Sequence, residues 1–181
     1  MIEVEQKFQP TEGELRALLR DARFLGEVVN KDAYYDYPDW RFFKKNIWLR
    51  NRNGNFELKI KKGTFAAEEI ETQIEIEKYF KVQDLKEFVK NDLIIIMEWN
   101  TKRRRYKKDD FNIDVDKTSF GYKVIEVELM VETENEIKKA EDEILALVKK
   151  YNFTIKDLPS KRKEYLRLVK PEKYKEFYGH L

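Results

Sequence analysis

Six predicted β-strands of this chain each carry two side chains of the same charge, placed two residues apart. The acidic pairs are Glu3/Glu5, Glu75/Glu77, Asp114/Asp116 and Glu126/Glu128, and the basic pairs are Arg50/Arg52 and Lys59/Lys61. Residues i and i+2 of a strand lie on the same face, roughly 6.6 to 7 Å apart. Because the residue between the two charges is usually apolar, each strand presents one apolar face and one face with a single sign of charge.

Charges of one sign on one strand face constrain how such strands can assemble. For any single strand, the simplest interpretation is an antiparallel sheet with one face in water. A solvated face usually mixes both signs, however, and repeated like charges destabilise it. The six pairs together therefore favour faces that converge on bound cations and on an anion such as a phosphate chain. Closing the sheet into a barrel would remove its edges, place the charges inside and leave the apolar outside for helices.

The predicted elements are of the α+β class. Seven or eight mostly antiparallel strands are predicted, at residues 2–8, 32–37, 46–53, 55–62, 70–79, 93–106, 111–117 and 122–132. Two capping boxes, Thr11 with Glu14 and Thr133 with Glu136, predict the starts of amphipathic helices. Further helices are predicted around 82–89, 160–169 and 171–178. The 181 residues contain no linker and no repeat, so we expect a single domain over residues 1–181.

Turn residues predict how neighbouring strands pair. Asn53-Gly54 is a strong signal for a two-residue hairpin turn. The register that this turn sets places Arg52 opposite Asn55, Arg50 opposite Glu57 and Trp48 opposite Lys59. These side chains then share the charged face of the hairpin. A four-residue loop at 107–110 would similarly place Arg103 opposite Asp114.

Composition excludes several classes of function. The 37 Lys and Arg residues are balanced by 35 Asp and Glu, and a net charge of +2 argues against the basic surface of a general nucleic-acid-binding protein. The chain has no Cys and a single His, His180, which excludes thiolate metal sites, thiol nucleophiles and Ser-His catalysis. Any metal must therefore be held by oxygen atoms, which selects Mg²⁺ or, alternatively, Mn²⁺.

Two further features bear on location and assembly. The longest apolar run, residues 93–97, is too short to span a membrane, and Met1-Ile2-Glu3 begins with a charge instead of a signal peptide. We therefore expect a soluble cytoplasmic protein that binds neither membranes nor nucleic acid. Nothing in the sequence demands a dimer, so we expect a monomer.

The segment Glu3-Val4-Glu5-Gln6-Lys7 has the ExExK pattern of the CYTH superfamily, the triphosphate tunnel metalloenzymes, which this chain resembles. Within that superfamily it is most similar to the thiamine triphosphatases. The segments that carry the likeness are, in order, IEVEQKF at 2, YYD at 34, WLRNR at 48, ELK at 57, TKR at 101, DVDKTSFGY at 114, EVE at 126, PSK at 159 and YLRLVKPEKY at 165. They extend over essentially the whole chain, with mild departures at Gln6 and Gln73.

The resemblance implies an eight-stranded antiparallel barrel that forms a tunnel around divalent cations and a triphosphate. The metal-binding carboxylates that it implies are Glu3, Glu5, Asp114, Glu126 and Glu128. The implied phosphate-binding cations are Lys7, Arg50, Arg52, Lys59, Arg103 and Lys161, and Lys161 rests on the resemblance alone. Glu75 matches a further tunnel carboxylate, and Trp48 is expected to border the organic end of the substrate. Lys61 and Asp116 are expected to be peripheral.

The activity implied is Mg²⁺-dependent hydrolysis of the terminal phosphoanhydride of a small-molecule triphosphate. Thiamine triphosphate is the favoured substrate, with thiamine diphosphate and phosphate as products. Lys7, Glu5 and Glu128 are the candidate catalytic residues, and the proton acceptor for the attacking water stays open among Glu5, Glu128 and water beside Lys7. An inorganic triphosphatase is the nearest alternative, followed by an adenylate cyclase and by a polyphosphate- or nucleotide-binding module without turnover.

Overall fold

Eight antiparallel strands form one sheet in the computed structural model, which describes residues 2–63 and 66–179. The strands are β1 (Ile2–Phe8), β2 (Arg23–Asp36), β3 (Ile47–Arg52), β4 (Asn55–Lys61), β5 (Ala66–Ile70), β6 (Ile94–Lys108), β7 (Phe111–Thr118) and β8 (Lys123–Val131). Their hydrogen bonds close in a ring, in the order β1-β5-β4-β3-β2-β6-β7-β8 and back to β1. The predicted closed barrel is confirmed. His180 lies outside the described residues.

Helices cover the outside of the barrel. They are α1 (Glu12–Leu19), α2 (Arg41–Lys44), α3 (Gln73–Phe80), α4 (Leu85–Asp92), α5 (Ile137–Lys150), α6 (Lys161–Val169) and α7 (Pro171–Tyr178). Both predicted capping boxes form, at Thr11 before α1 and at Thr133 before the 3-10 turn that leads into α5. None of the helices in the described parts of the chain combines the length and the apolar character needed to cross a membrane.

Most of the hydrophobic core lies between the outward strand faces and these helices. One apolar cluster joins β1 and β8 to α1 and α5, with Val4, Val127 and Ile144 fully buried. A second cluster lies beneath α3 and α4 and includes Leu49 and Leu58 of the β3–β4 hairpin. A third, largely aromatic cluster surrounds Trp99, which lies opposite Asp32 on the inward face, and it fills one end of the interior beneath α6 and α7. The apolar outside is therefore the packed side, which leaves the charged strand faces for the interior.

The β3–β4 hairpin has the predicted register. Arg50 pairs with Glu57 and Trp48 with Lys59 across the two strands. The turn is possible because Asn53 and Gly54 both adopt positive φ angles, 52° and 94°, as such a two-residue turn requires. Asn53 also accepts a hydrogen bond from the backbone N–H of Lys31 at 2.9 Å, which ties the turn to β2.

The predicted pairing of Arg103 with Asp114 is wrong by two residues. Strand β6 runs on to Lys108, and the turn contains only Asp109 and Asp110, so Arg103 lies opposite Asp116. Asp109 supplies the positive φ angle, 51°, that allows so short a turn. Because the error is an even number of residues, Arg103 and both Asp side chains still share the predicted face.

The strand predicted at 70–79 is also wrong. Strand β5 ends at Ile70, and residues 73–80 form helix α3, whose first turn is capped by Thr72 accepting a hydrogen bond from the backbone N–H of Glu75. Only Ile76 of this helix is fully buried, whereas Ile74 is 78% exposed. The alternating isoleucines therefore mimic a strand, and the exposed Glu75 lies on a helix outside the barrel.

Strand β2 is longer than predicted. The prediction began at residue 32, but β2 begins at Arg23 and pairs with β6 over most of its length. Its first half shows only a weak alternation of apolar and polar residues, and it contains Gly26, where the pairing with β6 shifts register. The partner strand therefore imposes the extended conformation there, since the local sequence pattern gives little indication of it.

Candidate active site

Charged side chains line the interior because the strands alternate inward charges with outward apolar residues. Strand β1 illustrates this alternation: Glu3, Glu5 and Lys7 share the inward face, whereas Val4 and Phe8 pack in the apolar cluster under α1 and α5. Most of the inward side chains are buried or half-buried and joined by ion pairs, whereas Lys61 and Arg105 of the same faces are exposed. They fall into a carboxylate cluster and three networks of ion pairs.

The carboxylate cluster consists of Glu3, Glu5 and Glu128. One oxygen of each lies within 4.8 Å of the others, so a single cation could be bound by all three. Glu5 and Glu128 are direct partners across β1 and β8, which explains their approach. Within residues 2–63 and 66–179, the Glu128 carboxylate has no hydrogen bond and no ion pair with a side-chain cation, although the strands hold it against two other acids.

The pKa values of this cluster reflect its crowding. Burial, reinforced by the charges of Asp114, Glu5 and Glu126, raises the pKa of Glu128 to about 8 although Arg103 opposes the shift. Burial likewise raises the pKa of Glu3 well above its ordinary value, against the attraction of Lys59. Burial acts on Glu5 too, but the attraction of Lys59 and Lys7 outweighs it and lowers the pKa of Glu5.

The first ion-pair network is centred on Arg103. Its guanidinium group donates to Asp116 at 2.7 and 2.8 Å and to Glu126 at 2.7 Å, and it also contacts Asp114. Lys161 contacts two of these carboxylates, Asp116 and Glu126, the latter at 2.6 Å. Burial raises the pKa of Asp114 despite the attraction of Arg103.

Lys161 enters the interior from the first turn of α6. Ser160 caps this helix by accepting a hydrogen bond from the backbone N–H of Lys163 at 3.1 Å. The preceding carbonyl of Pro159 accepts a hydrogen bond from the Tyr122 hydroxyl at 2.8 Å. These two bonds fix the start of α6 beside Tyr122, the residue before β8, and direct its first side chain to Glu126.

The second network contains Lys59 and Lys7. The Lys59 ammonium lies 2.7 Å from Glu3, 3.1 Å from Glu69 and 3.8 Å from Glu5. Lys7 lies 2.6 Å from Glu5 and 3.4 Å from Glu126, and so links the carboxylate cluster to the Arg103 network. Burial alone would lower the pKa of both lysines, but the surrounding carboxylates raise it, so both remain charged at neutral pH.

The third network lies on β2, β3 and β4. Arg50 donates to Glu57 at 2.6 Å, and Arg52 forms a bidentate pair with Asp32 at 2.7 and 3.1 Å. Asp32 is almost completely buried, whereas the two arginines are half-buried. The planar guanidinium groups are suited to binding phosphate oxygens in the same bidentate way.

The carboxylates in the interior outnumber the cations. The cluster and the three networks contain six cations, Lys7, Arg50, Arg52, Lys59, Arg103 and Lys161, and nine acids, Glu3, Glu5, Asp32, Glu57, Glu69, Asp114, Asp116, Glu126 and Glu128. This excess fits a bound divalent cation, which would offset the charge that the side chains leave unbalanced. Carboxylate oxygens are the ligands that Mg²⁺ and Mn²⁺ prefer.

A comparison with known families agrees with this geometry. The sequence matches the CYTH domain over residues 1–167. The chain belongs to the CYTH family. Two similar proteins are the thiamine-triphosphatases of Homo sapiens and Macaca fascicularis, each 26% identical to this chain. The alignment with the human protein covers 96% of this chain and 88% of that protein.

Solved structures share the fold of this CYTH protein. A protein from Pyrococcus horikoshii superposes with a TM-score of 0.66 at 21% identity, covering 94% of this chain and 99% of the other. A Hippeastrum protein, described as a putative adenylyl cyclase with a dominant triphosphatase activity, superposes with a TM-score of 0.59 at 14% identity, covering 92% and 94%. These likenesses show the barrel architecture.

The structure brings almost all of the predicted site residues of this CYTH protein together. Glu75 is the exception, because it lies on α3, and Glu69 of β5 contacts Lys59 instead. Asp116, expected to be peripheral, is fully buried between Arg103 and Lys161. Asp114 and Glu126, expected as metal ligands, contact side-chain cations.

Sequence reasoning missed Asp32 and Glu69 as members of this site. Glu69 lies in a five-residue strand that the prediction displaced towards Glu75. Asp32 is a lone acid without a like-charged neighbour two residues away, so the pattern of pairs could not reveal it. It joins the site through the pairing of β2 with β3, which the sequence pattern does not reveal.

Trp48 lies at the aromatic end of the interior. Its half-buried ring packs against the cluster around Trp99, and the Arg162 guanidinium lies over it, 3.8 Å from the ring centroid. The indole N–H groups of Trp48 and Trp99 are both buried and have no hydrogen-bond partner within the described residues. This end of the barrel therefore combines flat apolar surfaces with unused donors.

Proposed function

We propose that this protein is a metal-dependent triphosphatase that hydrolyses the terminal phosphoanhydride of thiamine triphosphate, giving thiamine diphosphate and phosphate. The main support for this proposal is the closed interior of the barrel, in which six cationic side chains and a cluster of three carboxylates face one another. The cationic side chains are suited to binding a polyanionic phosphate chain, and the carboxylate cluster is suited to binding a hard divalent cation. The likeness to thiamine-triphosphatases over most of the chain supports the choice of substrate.

Positioning and electrostatics provide the catalysis in this proposal. Arg50 and Arg52 grip the phosphate chain from β3, and Arg103, Lys59 and Lys161 contact it from other parts of the barrel. The transition state of phosphoryl transfer is loose, so fixed donors around its oxygens supply most of the rate without a protein nucleophile. This accounts for an active site whose described residues include neither Cys nor His.

Mg²⁺, with Mn²⁺ as the alternative, would be held by Glu3, Glu5 and Glu128 and would offset negative charge on the reacting phosphoryl group. Lys7 lies between this cluster and Glu126, stays positively charged, and is placed to donate to a phosphate oxygen. The candidate acceptors for the proton of the attacking water remain Glu5, Glu128 and a water molecule beside Lys7.

The proposal is tested by phosphate release from thiamine triphosphate, tripolyphosphate and ATP, each with Mg²⁺ and with excess chelator. We expect the highest kcat/KM on thiamine triphosphate and no release in chelator. Equal or better turnover of tripolyphosphate would make the protein an inorganic triphosphatase. Cyclic AMP from ATP would indicate a cyclase, and tight binding without any turnover would indicate a binding module.

Trp48→Ala is expected to lower kcat/KM for thiamine triphosphate more than for tripolyphosphate. An indole face attracts an organic cation such as the thiazolium ring by about 0.5 to 2 kcal/mol, equivalent to roughly 2- to 30-fold. The selective part of the loss should lie in this range, measured as the ratio of the two kcat/KM values. An equal loss on both substrates would give Trp48 a structural role and would favour the inorganic triphosphatase.

A further inference from the structure

The start of helix α6 carries positive charges where helix physics disfavours them. Lys161, Arg162 and Lys163 form its first three residues, although the N-terminal end of a helix dipole favours acids. Lys161 is accounted for by its ion pairs with Glu126 and Asp116 in the interior. The ammonium of Lys163 lies over the ring of Tyr178, 4.8 Å from its centroid. Arg162 needs a separate explanation.

Arg162 has a flat aromatic surface as its partner instead of an acid. Its guanidinium carbon lies 3.8 Å from the centroid of the Trp48 ring, well within the range of a cation–π contact. Among residues 2–63 and 66–179, no carboxylate forms an ion pair with its guanidinium group. The half-buried Arg162 is therefore held by the indole face, with no ion pair contributing.

The contact is built into the packing of α6. Arg162, Tyr165 and Leu166 are spaced three and four residues apart, so they lie on one face of the helix. Tyr165 and Leu166 are buried in the aromatic cluster against which Trp48 packs. The Ser160 cap and the hydrogen bond from Tyr122 to Pro159 fix the start of the same helix. Arg162 is thus positioned by the fold over Trp48.

We propose that Arg162 is a specificity-determining residue that competes with an organic cation for the Trp48 face. This inference rests on the proposed function, in which a cationic thiazolium ring approaches Trp48. A substrate with such a ring must displace the guanidinium group from that face, whereas a plain phosphate chain need not. Arg162 therefore reduces the preference for cationic triphosphates, and its removal should increase that preference.

The test compares the affinities for thiamine triphosphate and tripolyphosphate by titration calorimetry in excess chelator. In Arg162→Ala, we expect the ratio of the two affinities to shift towards thiamine triphosphate by about 3- to 10-fold. Tripolyphosphate is the more negative ligand, so loss of any nearby positive charge shifts the ratio in the same direction, and a control must measure that general effect. Lys163→Ala, which removes the next cation along, is the matched control and should leave the ratio within about twofold.

A double-mutant cycle with Trp48→Leu decides whether Arg162 acts through the indole ring. The shift caused by Arg162→Ala should disappear in the Trp48→Leu background. An unchanged ratio in Arg162→Ala, or the same shift with and without Trp48, would overturn the proposal. Arg162→Gln provides a second variant if the alanine variant unfolds at lower temperature. Absence of turnover with Mg²⁺ would count against the proposed triphosphatase, while the affinity ratios would still decide the role of Arg162.

Discussion

Replacing Glu128 by Gln is expected to lower triphosphatase activity with Mg²⁺ by about 100-fold or more, and yet to stabilise the metal-free fold. The activity falls because the cluster loses one of its three charged oxygen ligands. Even changes to residues that only orient metal ligands usually lower metal affinity or activity by about 10- to 100-fold. The metal-free fold becomes more stable because the substitution removes a half-buried acid that lies against Glu5 and has no ion pair of its own among the described residues. Steady-state kinetics and denaturant unfolding in chelator measure the two effects separately.

The stabilising effect of Glu128→Gln should depend on pH with a definite sign. The folded protein keeps the Glu128 proton up to about pH 8, whereas the unfolded chain releases it near the ordinary pKa of about 4.3. As pH rises through this window the unfolded state is favoured, so the parent protein loses stability that the variant retains. We expect a gain of about 1 kcal/mol or more at pH 8 and almost none near pH 4.

Glu132→Gln, an exposed acid just beyond β8, is the control for loss of one negative charge. It should change neither the activity nor the pH dependence of unfolding. Mg²⁺ should also raise the unfolding midpoint of the parent protein and of Glu132→Gln, but not that of Glu128→Gln. Full activity of Glu128→Gln, or a stability difference that grows towards low pH, would contradict the placement of this carboxylate in the cluster.

Replacing Arg103 by Ala is expected to destabilise the fold by about 3 to 5 kcal/mol, the usual cost of removing one partner from a buried network of charges. Arg103 contacts Asp114, Asp116 and Glu126 at once, and its loss would leave only Lys161 and Lys7 to offset them. Urea unfolding at pH 7 measures the change. Lowering the pH should recover part of the loss, because the uncompensated acids can then take up protons.

Arg104→Ala is the matched control for Arg103→Ala. Arg104 is the next residue of β6, carries the same charge, and is exposed on the outer face. Its replacement should change the free energy of unfolding by no more than about 0.5 kcal/mol. Equal effects of the two substitutions on the free energy of unfolding would mean that the charges inside the barrel are effectively solvated. That result would contradict the proposed binding of a phosphate chain by these cations.

The alternation of charge and apolar residues determined most of the architecture. Pairs such as Glu3/Glu5 and Arg50/Arg52 predicted which strand faces meet, and Asn53-Gly54 fixed the register of β3 and β4. These signals are local, because face parity depends on a two-residue period and a tight turn depends on two residues with positive φ. Even the displaced pairing of Arg103 left it on the predicted face, since the error was two residues.

Contacts between distant segments decided the rest. Whether Glu75 or Glu69 faces Lys59 depends on where β5 ends, and the alternating isoleucines of 70–79 fit a strand locally although Thr72 caps a helix there. Asp32 joins the site only because β2 pairs with β3. Arg162 reaches Trp48 only because α6 packs across the aromatic end of the barrel. The spacing of residues along the chain determines which of them share a strand face. Only the closed sheet and its packed helices bring residues as distant as Trp48 and Arg162 together, with the guanidinium carbon 3.8 Å from the centroid of the indole ring.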